Sequence, residues 1–376
     1  MPKPEYYETN RQAKTLLIGV HAPYNRTADI NSYYEEFANL VKTNGVTSEN
    51  NLFVKIRIID PAYFFPKGKL EEIKQICEKH GIEQIIISDA ITPQQERNLE
   101  DYLECYVTDR TQLILEIFEK AAHSAEGKKQ VTIALLQHRK TRLSGKGIFL
   151  EQQTGVKGGR GPGEKIKERD RRYIEQQIQK LKGELVTLQQ VRETQRKQRL
   201  GRHIPQICLV GYTNAGKSTI LNTLTKSDVL AEDKLFATLD TTTRSLYINN
   251  KQVGVLSDTV GFIQQLPPHL IEAFKSTLSE LHYADLLLHV VDLSDTSWEE
   301  HLQIVATILD SLNVHKEILY VFNKQDRVSN LEQMLPTLER YQPQVIVSAH
   351  SKSGLQPLID FLGTWKPSVP DANKAN

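Results

Sequence analysis

The stretch ICLVGYTNAGKSTILNTL, residues 207–224, constrains the fold more than any other part of the chain. It carries G-x-x-x-x-G-K-[ST] from Gly211 to Ser218, with an apolar run before it and an amphipathic run after it. That order reads as a strand, a tight glycine turn and a helix N-terminus, the unit of a parallel sheet with helical crossovers. The chemistry follows. Gly211 and Gly216 let the backbone of Tyr212, Thr213, Asn214 and Ala215 wrap an anion. Lys217 sets a point charge on the terminal phosphates, and Ser218 offers a hydroxyl to Mg²⁺.

Three later segments refine that reading. In YVFNKQD, a strand ends in Asn323, Lys324, Gln325 and Asp326. A carboxylate at Asp326 can accept two N–H bonds from guanine, a pattern adenine lacks. VIVSAH then places Ser348, Ala349 and His350 at the next strand end, where the Ala349 N–H is expected to meet the guanine carbonyl. Between these segments lies VLSDTVGFI. Asp258 is expected to hold Mg²⁺ through water, and the segment Asp258, Thr259, Val260, Gly261 to sense a γ-phosphate through the Gly261 N–H. Upstream, LFATLDTTTR supplies loop threonines; Thr238 is the choice for Mg²⁺ and the γ-phosphate, with Thr242 the runner-up. Many GTPases follow the DxxG glycine with a glutamine that orients water. Here that position is Phe262, so intrinsic hydrolysis is expected to be slow, with a partner completing the site.

The rest of the chain divides around this module. Residues 13 to about 110 alternate apolar runs (Thr15–Val20, Phe53–Asp60, Gln84–Asp89, Cys105–Asp109) with helical patterns (Ile30–Thr43, Lys69–His80, Pro93–Leu103). That alternation predicts an N-terminal parallel-sheet α/β subdomain over 1–110. Helical periodicity runs from Thr111 to about Leu143 and again from Glu164 to about Leu200, where Ile174, Ile178, Leu181, Leu185 and Leu188 keep heptad spacing. Two rods of roughly 50 Å joined by one connector predict a long antiparallel helical hairpin over 111–203, with its tip at 144–163. A C-terminal P-loop GTPase domain over 204–366 and a tail over 367–376 complete the α/β plan. The connector Ser144 to Pro162 is either a functional loop or a plain linker.

The net charge of +1 hides an asymmetry: residues 128–202 hold 20 Lys/Arg against 7 Asp/Glu, and the remainder 27 against 39. So basic a middle points to a polyanion, with Lys157 and Arg160 among glycines at the tip and Arg169, Arg171 and Arg172 on the following helix as RNA contacts. The bland alternative is a solvated helix face. No 18-residue apolar run is present and the start lacks a leader's apolar core, so a cytoplasmic protein without a membrane span is expected. Cys77, Cys105 and Cys208 lack metal-ligand spacing and read as reduced core thiols. NKQD argues against a small-molecule kinase, and intact Lys217, Ser218 and Asp258 against a vestigial scaffold.

DRTQLILEIF (Asp109–Phe118), GGRGPGE (Gly158–Glu164), GYTNAGKST, FATLD (Phe236–Asp240), DTVGFI and LPPHLIEAFKSTLSEL (Leu266–Leu281) together resemble the HflX family of ribosome-associated GTPases, over nearly the whole chain. The resemblance implies binding of GTP and GDP, and Mg²⁺ held by Ser218 and Thr238. It puts Phe236, Ala237, Leu239 and Asp240 around the nucleotide and makes Lys217, Thr238, Gly261 and Asn214 the catalytic set. Asn214 matches a P-loop asparagine that binds K⁺ in related enzymes. As partners it implies the large ribosomal subunit and its RNA, the chain being a monomer off the ribosome, and as action the splitting of stalled or idle ribosomes; an assembly or RNA-maturation GTPase is the alternative. DTT at Asp240–Thr242 replaces the family's DPT, KIKE follows GPGE where threonine and glutamine are usual, and the tail is short.

Overall fold

The computed structural model describes residues 13–145 apart from 26, 28 and 49, then 162–200, 204–225, 235, 236, 238, 239, 241–265 and 275–367. The chain falls into two compact units, one from Met1–Ile117 with Gln137–Ile174 and one from Phe118–Leu136 with Glu175–Asn376.

The first unit is built on β1 (Thr15–His21), α1 (Ile30–Thr43), β2 (Asn50–Lys55), α2 (Lys67–His80), β3 (Gln84–Ile87), α3 (Pro93–Leu103) and β4 (Tyr106–Thr108). Its sheet runs β2-β1-β3-β4 with every pair parallel, so central β1 is buried from Thr15 to Val20. Local signals set the helix ends. Asp29 accepts from Asn31 N and Ser32 N to start α1, a Thr92/Gln95 capping box starts α3, and Gly81 at φ 62° ends α2.

Two elements differ from expectation. The strand predicted at Phe53–Asp60 lies earlier, at Asn50–Lys55. Its partner β1 pairs from Leu16 opposite Asn50 to His21 opposite Lys55 and then stops, so after Ile56 N donates to His21 O the segment has no ladder to join. The single helical run predicted over 111–143 is two helices, α4 (Arg110–Ala121) and α5 (Ala125–Gly145). Ser124 Oγ accepts from Gly127 N at 2.8 Å and opens the second.

The Asp109–Arg110 pair anchors α4. Asp109 accepts from Gln112 N at 2.8 Å, from Ile91 N at 3.2 Å and from Arg142 Nη2 at 2.8 Å. Arg142, near the end of α5, also pairs with Glu96 at 2.5 Å. Arg110 is buried, ion-paired with Glu36, and lies 5.2 Å from the Tyr33 ring centre.

α6 (Pro162–Leu200) is a single 39-residue helix. In the second unit Lys129 of α5 pairs with Glu184 of α6. Ile174 and Ile178 are buried, while Leu181, Leu185 and Leu188 are half-buried, so the heptad seam loosens along the helix.

After α6 come β5 (Gln206–Gly211), α7 (Lys217–Thr225), β6 (Thr242–Ile248), β7 (Lys251–Asp258), α8 (Lys275–Tyr283), β8 (Leu286–Asp292), α9 (Trp298–Ser311), β9 (Glu317–Asn323), α10 (Leu331–Leu338), β10 (Gln344–Ile346) and α11 (Gln356–Thr364). The sheet runs β10-β9-β8-β5-β7-β6, parallel except for the β6–β7 hairpin. One face buries Leu209, Ile220, Leu288, Val321 and Leu358; the other packs Phe322 against Trp298 and Leu338. Cys77, Cys105 and Cys208 are buried and unbridged. Among the described residues no helix is long and apolar enough to cross a membrane.

Removing one partner of a buried ion pair strands the other charge. Glu36→Ala is therefore expected to destabilise the first unit by about 3–5 kcal/mol, read as a lower denaturation midpoint. An unchanged midpoint would remove the pair from the stabilising core.

Candidate nucleotide site

β5 lies between β7 and β8; the chain leaves its carboxyl end for β6 beyond β7 and only afterwards crosses to β8 on the other side. A parallel sheet opens a crevice at such a point, and the Gly211–Ser218 loop fills it. The two glycines are required by contact. A Cβ at Gly211 (φ 150°) would stand 2.3 Å from Val290 O, and one at Gly216 (φ 95°) 2.3 Å from Asn323 Nδ2. Asn214 is exposed in the left-handed region at φ 59°. Lys217 is buried, its Nζ donating to Tyr212 O at 2.7 Å and Gly211 O at 3.2 Å. Burial pulls the amine down to about 8; Asp258 opposes this and Lys324 adds to it. Buried His289 on β8 is held neutral for the same reasons, burial first and Lys217 second, at about 3.

Ser218, Thr238 and Asp258 converge. Ser218 Oγ bonds to Asp258 Oδ2 and to Thr238 Oγ1, each at 2.6 Å. Asp258 is fully buried; burial pushes its carboxyl up, against the hydrogen bonds and Lys217 that pull it down, and its Oδ1 has no partner. A buried carboxylate with an unused oxygen beside two hydroxyls is an oxygen donor set suited to Mg²⁺. Among the described residues no group of three or more His, Cys, Asp or Glu could hold a metal unaided, so nucleotide oxygens would complete the shell. Mg²⁺ at such a site neutralises phosphate charge.

The 258–262 segment is zipped onto the loop. Thr213 N donates to Phe262 O at 2.7 Å and Phe262 N to Gly211 O at 3.2 Å, a parallel bridge between Tyr212 and Phe262. Thr259 Oγ1 donates to Leu209 O at 2.7 Å, and Val260 is buried. Gly261 is pressed so close that a Cβ there would lie 2.8 Å from Thr213 Cα and 3.0 Å from Lys217 Nζ. Tyr212 stacks on His301 at 3.7 Å between ring centres, and its hydroxyl accepts from Gln264 N at 2.7 Å. Phe236 and Leu239, expected around the nucleotide, are buried packing residues: Phe236 (φ 57°) sets its ring edge-on to Phe118 of α4 at 4.6 Å. Ala237 and Asp240 lie outside the described residues.

The expected base-reading residues come together with one correction, at Ala349. Asn323, expected to read guanine, has both side-chain atoms engaged with protein: Nδ2 donates to Ala215 O at 2.9 Å and Oδ1 accepts from Ala349 N at 3.0 Å. The Ala349 N–H is thereby spent on Asn323 instead of facing a purine carbonyl. Asp326 is exposed, and the hydrogen bond from Ser348 Oγ holds its carboxyl below the usual range. Lys324 (φ 62°) pairs with Asp292 at 2.6 Å, Gln325 N donates to Val347 O at 3.3 Å, and exposed His350 stands close enough to favour the charged Asp326. Sequence reasoning missed the Asn323 clamp, the Tyr212–His301 stack and the Asp292 partner; of these only Asp292, ending the strand HVVD, left a signal.

Of the RNA candidates, Arg169, Arg171 and Arg172 are exposed on α6, and Arg172 pairs with Glu168 at 2.6 Å. Lys157 and Arg160 lie outside the described residues.

Asn323→Ala would strand a buried carbonyl and a buried N–H. Each costs about 1–3 kcal/mol. Nucleotide affinity is expected to fall at least about tenfold in equilibrium titration; unchanged affinity would deny the clamp its role.

Family models agree with this geometry. One described as GTP-binding GTPase N-terminal matches residues 31–119, one as GTP-binding GTPase Middle Region residues 121–199, and one as 50S ribosome-binding GTPase residues 206–324. The chain is 44% identical to GTPase HflX of Lacrimispora saccharolytica over 94% of its own length and 83% of that protein's, and 39% identical to GTPase HflX of Escherichia coli over 95% and 83%. The crystal structure of SsGBP with GDP superposes at a TM-score of 0.52 and 26% identity, covering 92% of this chain and 96% of that one. With a complete phosphate loop and this identity along nearly its full length, the chain belongs to the HflX family of GTPases.

Proposed function

We propose that this GTPase binds the large ribosomal subunit in its GTP form and separates stalled or idle ribosomes, hydrolysis then releasing it. The observation that carries the reading is the join between charge and switch. α6, in the strongly basic 128–202 segment, ends at Leu200, and the nucleotide strand β5 opens at Gln206. Phosphate contacts by that hairpin would supply salt-sensitive affinity for RNA.

The residue roles follow. The loop Gly211–Ser218 cradles the phosphates with Lys217. Ser218 and Thr238 hold Mg²⁺, and Asp258 reaches it through water. Gly261 N–H reports the γ-phosphate, and Asp326 reads guanine. Thr238 responds to the terminal phosphate, and two residues away Phe236 bears on Phe118. A change at the nucleotide would thus press on the helix that leads into the hairpin. With Phe262 where a water-orienting glutamine would be useful, intrinsic turnover is slow and the ribosome stimulates it.

Sucrose gradients of ribosomes with the protein and a non-hydrolysable GTP analogue test this. Loss of the monosome peak supports splitting; a shift confined to immature particles would replace it with an assembly role. Deleting residues 155–162 is expected to abolish the effect while sparing GTP binding, and an active deletion would remove the tip from the mechanism. Asn214 is proposed to bind K⁺ as a second cofactor, so turnover is expected to be faster in K⁺ than in Na⁺; equal rates would exclude it.

A further inference from the structure

The phosphate loop holds a hydroxyl that the roles above leave unused. Thr213 is 6% exposed, and its Oγ1 is buried without a hydrogen-bond partner. Threonine hydroxyls in protein interiors are normally bonded, often to a nearby carbonyl, and leaving one unmade costs stability. Nothing in the packing asks for an oxygen here, since valine would fill the same volume.

The residue stands beside the corner where a terminal phosphate would lie. A Cβ placed at Gly261 would fall 2.8 Å from both Thr213 Cα and Cγ2 and 3.0 Å from Lys217 Nζ. The Thr213 Cα and methyl, the backbone of Gly261 and the Lys217 amine therefore crowd one small volume, and the hydroxyl is carried on the same Cβ as that methyl. Lys217 and Gly261 are the two donors that a terminal phosphoryl group would meet. The backbone on either side is fixed, because Thr213 N is bonded to Phe262 O and Phe262 N to Gly211 O. That bridge also holds the Phe262 ring inside, at 2% exposure, in the place after the DxxG glycine. Gln264 is buried, its backbone N–H on the Tyr212 hydroxyl.

We infer that the Thr213 hydroxyl is a catalytic group of GTP hydrolysis, donating a hydrogen bond to an oxygen of the terminal phosphoryl group. In the reaction the water oxygen forms the new bond to phosphorus and the bond to the bridging oxygen breaks. The electron pair stays on the GDP β-phosphate and the water's proton leaves with inorganic phosphate. Thr213 keeps its own proton throughout. Its contribution is a fixed dipole where negative charge is held in the transition state, a use that rewards preorganisation. GDP presents no such oxygen, so the bond exists only with the triphosphate.

The inference rests on reading Gly211–Ser218 as the phosphate loop, and the two can fail separately. Without that loop the wild-type protein would not bind GDP at all. The test compares Thr213→Val and Thr213→Ser in the full chain, measuring single-turnover GTP hydrolysis and GDP affinity. Valine keeps the volume and removes the oxygen; serine keeps the oxygen. Thr213→Val is expected to lose about a hundredfold in rate, the scale for removing one preorganised donor, with GDP affinity within about twofold of wild type. Thr213→Ser is expected to stay within about threefold in rate. Wild-type turnover in the valine variant would overturn the inference, and so would equal losses in both variants, which would mark a packing role.

Discussion

The Asn323 side chain bonds the carbonyl of Ala215 on one side and the N–H of Ala349 on the other, at 2.9 and 3.0 Å, in a position 1% exposed. The phosphate loop and the base-reading loops belong to strands β5, β9 and β10, brought together only by the sheet. A planar amide carries its donor and its acceptor on separate atoms, so it can join a carbonyl on one side to an N–H on the other. Gly216 is what lets Asn323 approach so closely. This bridge ties the loop after β5 to the loop after β10, and the fit of a nucleotide spanning them depends on it together with the sheet.

Around it the charges are arranged for an anion. Lys217 is buried, its amine eased by carbonyls and by Asp258, with a neutral His289 behind it. Desolvation draws the lysine toward neutrality, and a polyphosphate would reverse that pull. Lys324 is withdrawn into a pair with Asp292, while Asp326 faces solvent in its ionised form, ready to accept N–H donors. The site thus separates its charges by sign, positive at Lys217 in the glycine loop and negative at Asp326.

Movement has a physical route outward. The Thr238 hydroxyl meets Ser218 within the Mg²⁺-suited oxygen set, and Phe236 is held edge-on against Phe118. Rigid contacts of that kind carry small shifts because packed interiors rearrange between discrete states instead of deforming smoothly. The first unit contributes stiffness of another sort. Asp109, which opens the DRTQLILEIF segment, caps α4 and holds Arg142, and Arg110 closes on Glu36.

Local chemistry made much of this legible. The glycine loop between a strand and a helix, the order of NKQD and SAH behind it, α1 and α3 to the residue, and the long helix ending at Leu200 all rest on nearest-neighbour preferences: glycine at positive φ, capping side chains, apolar periodicity. What the sequence by itself determined was the alternation of strand and helix in the first unit, the strand–loop–helix of Gly211–Ser218 and the residue types proposed to meet phosphate. What only the tertiary structure decided was which partner each polar group takes. Asn323 and Ala349 spend their bonds on each other, Phe236 turns to Phe118, β2 stops where β1 stops, and the Thr213 hydroxyl is left bare. Such choices depend on atoms brought together from distant parts of the chain, and sequence spacing carries no record of those distances.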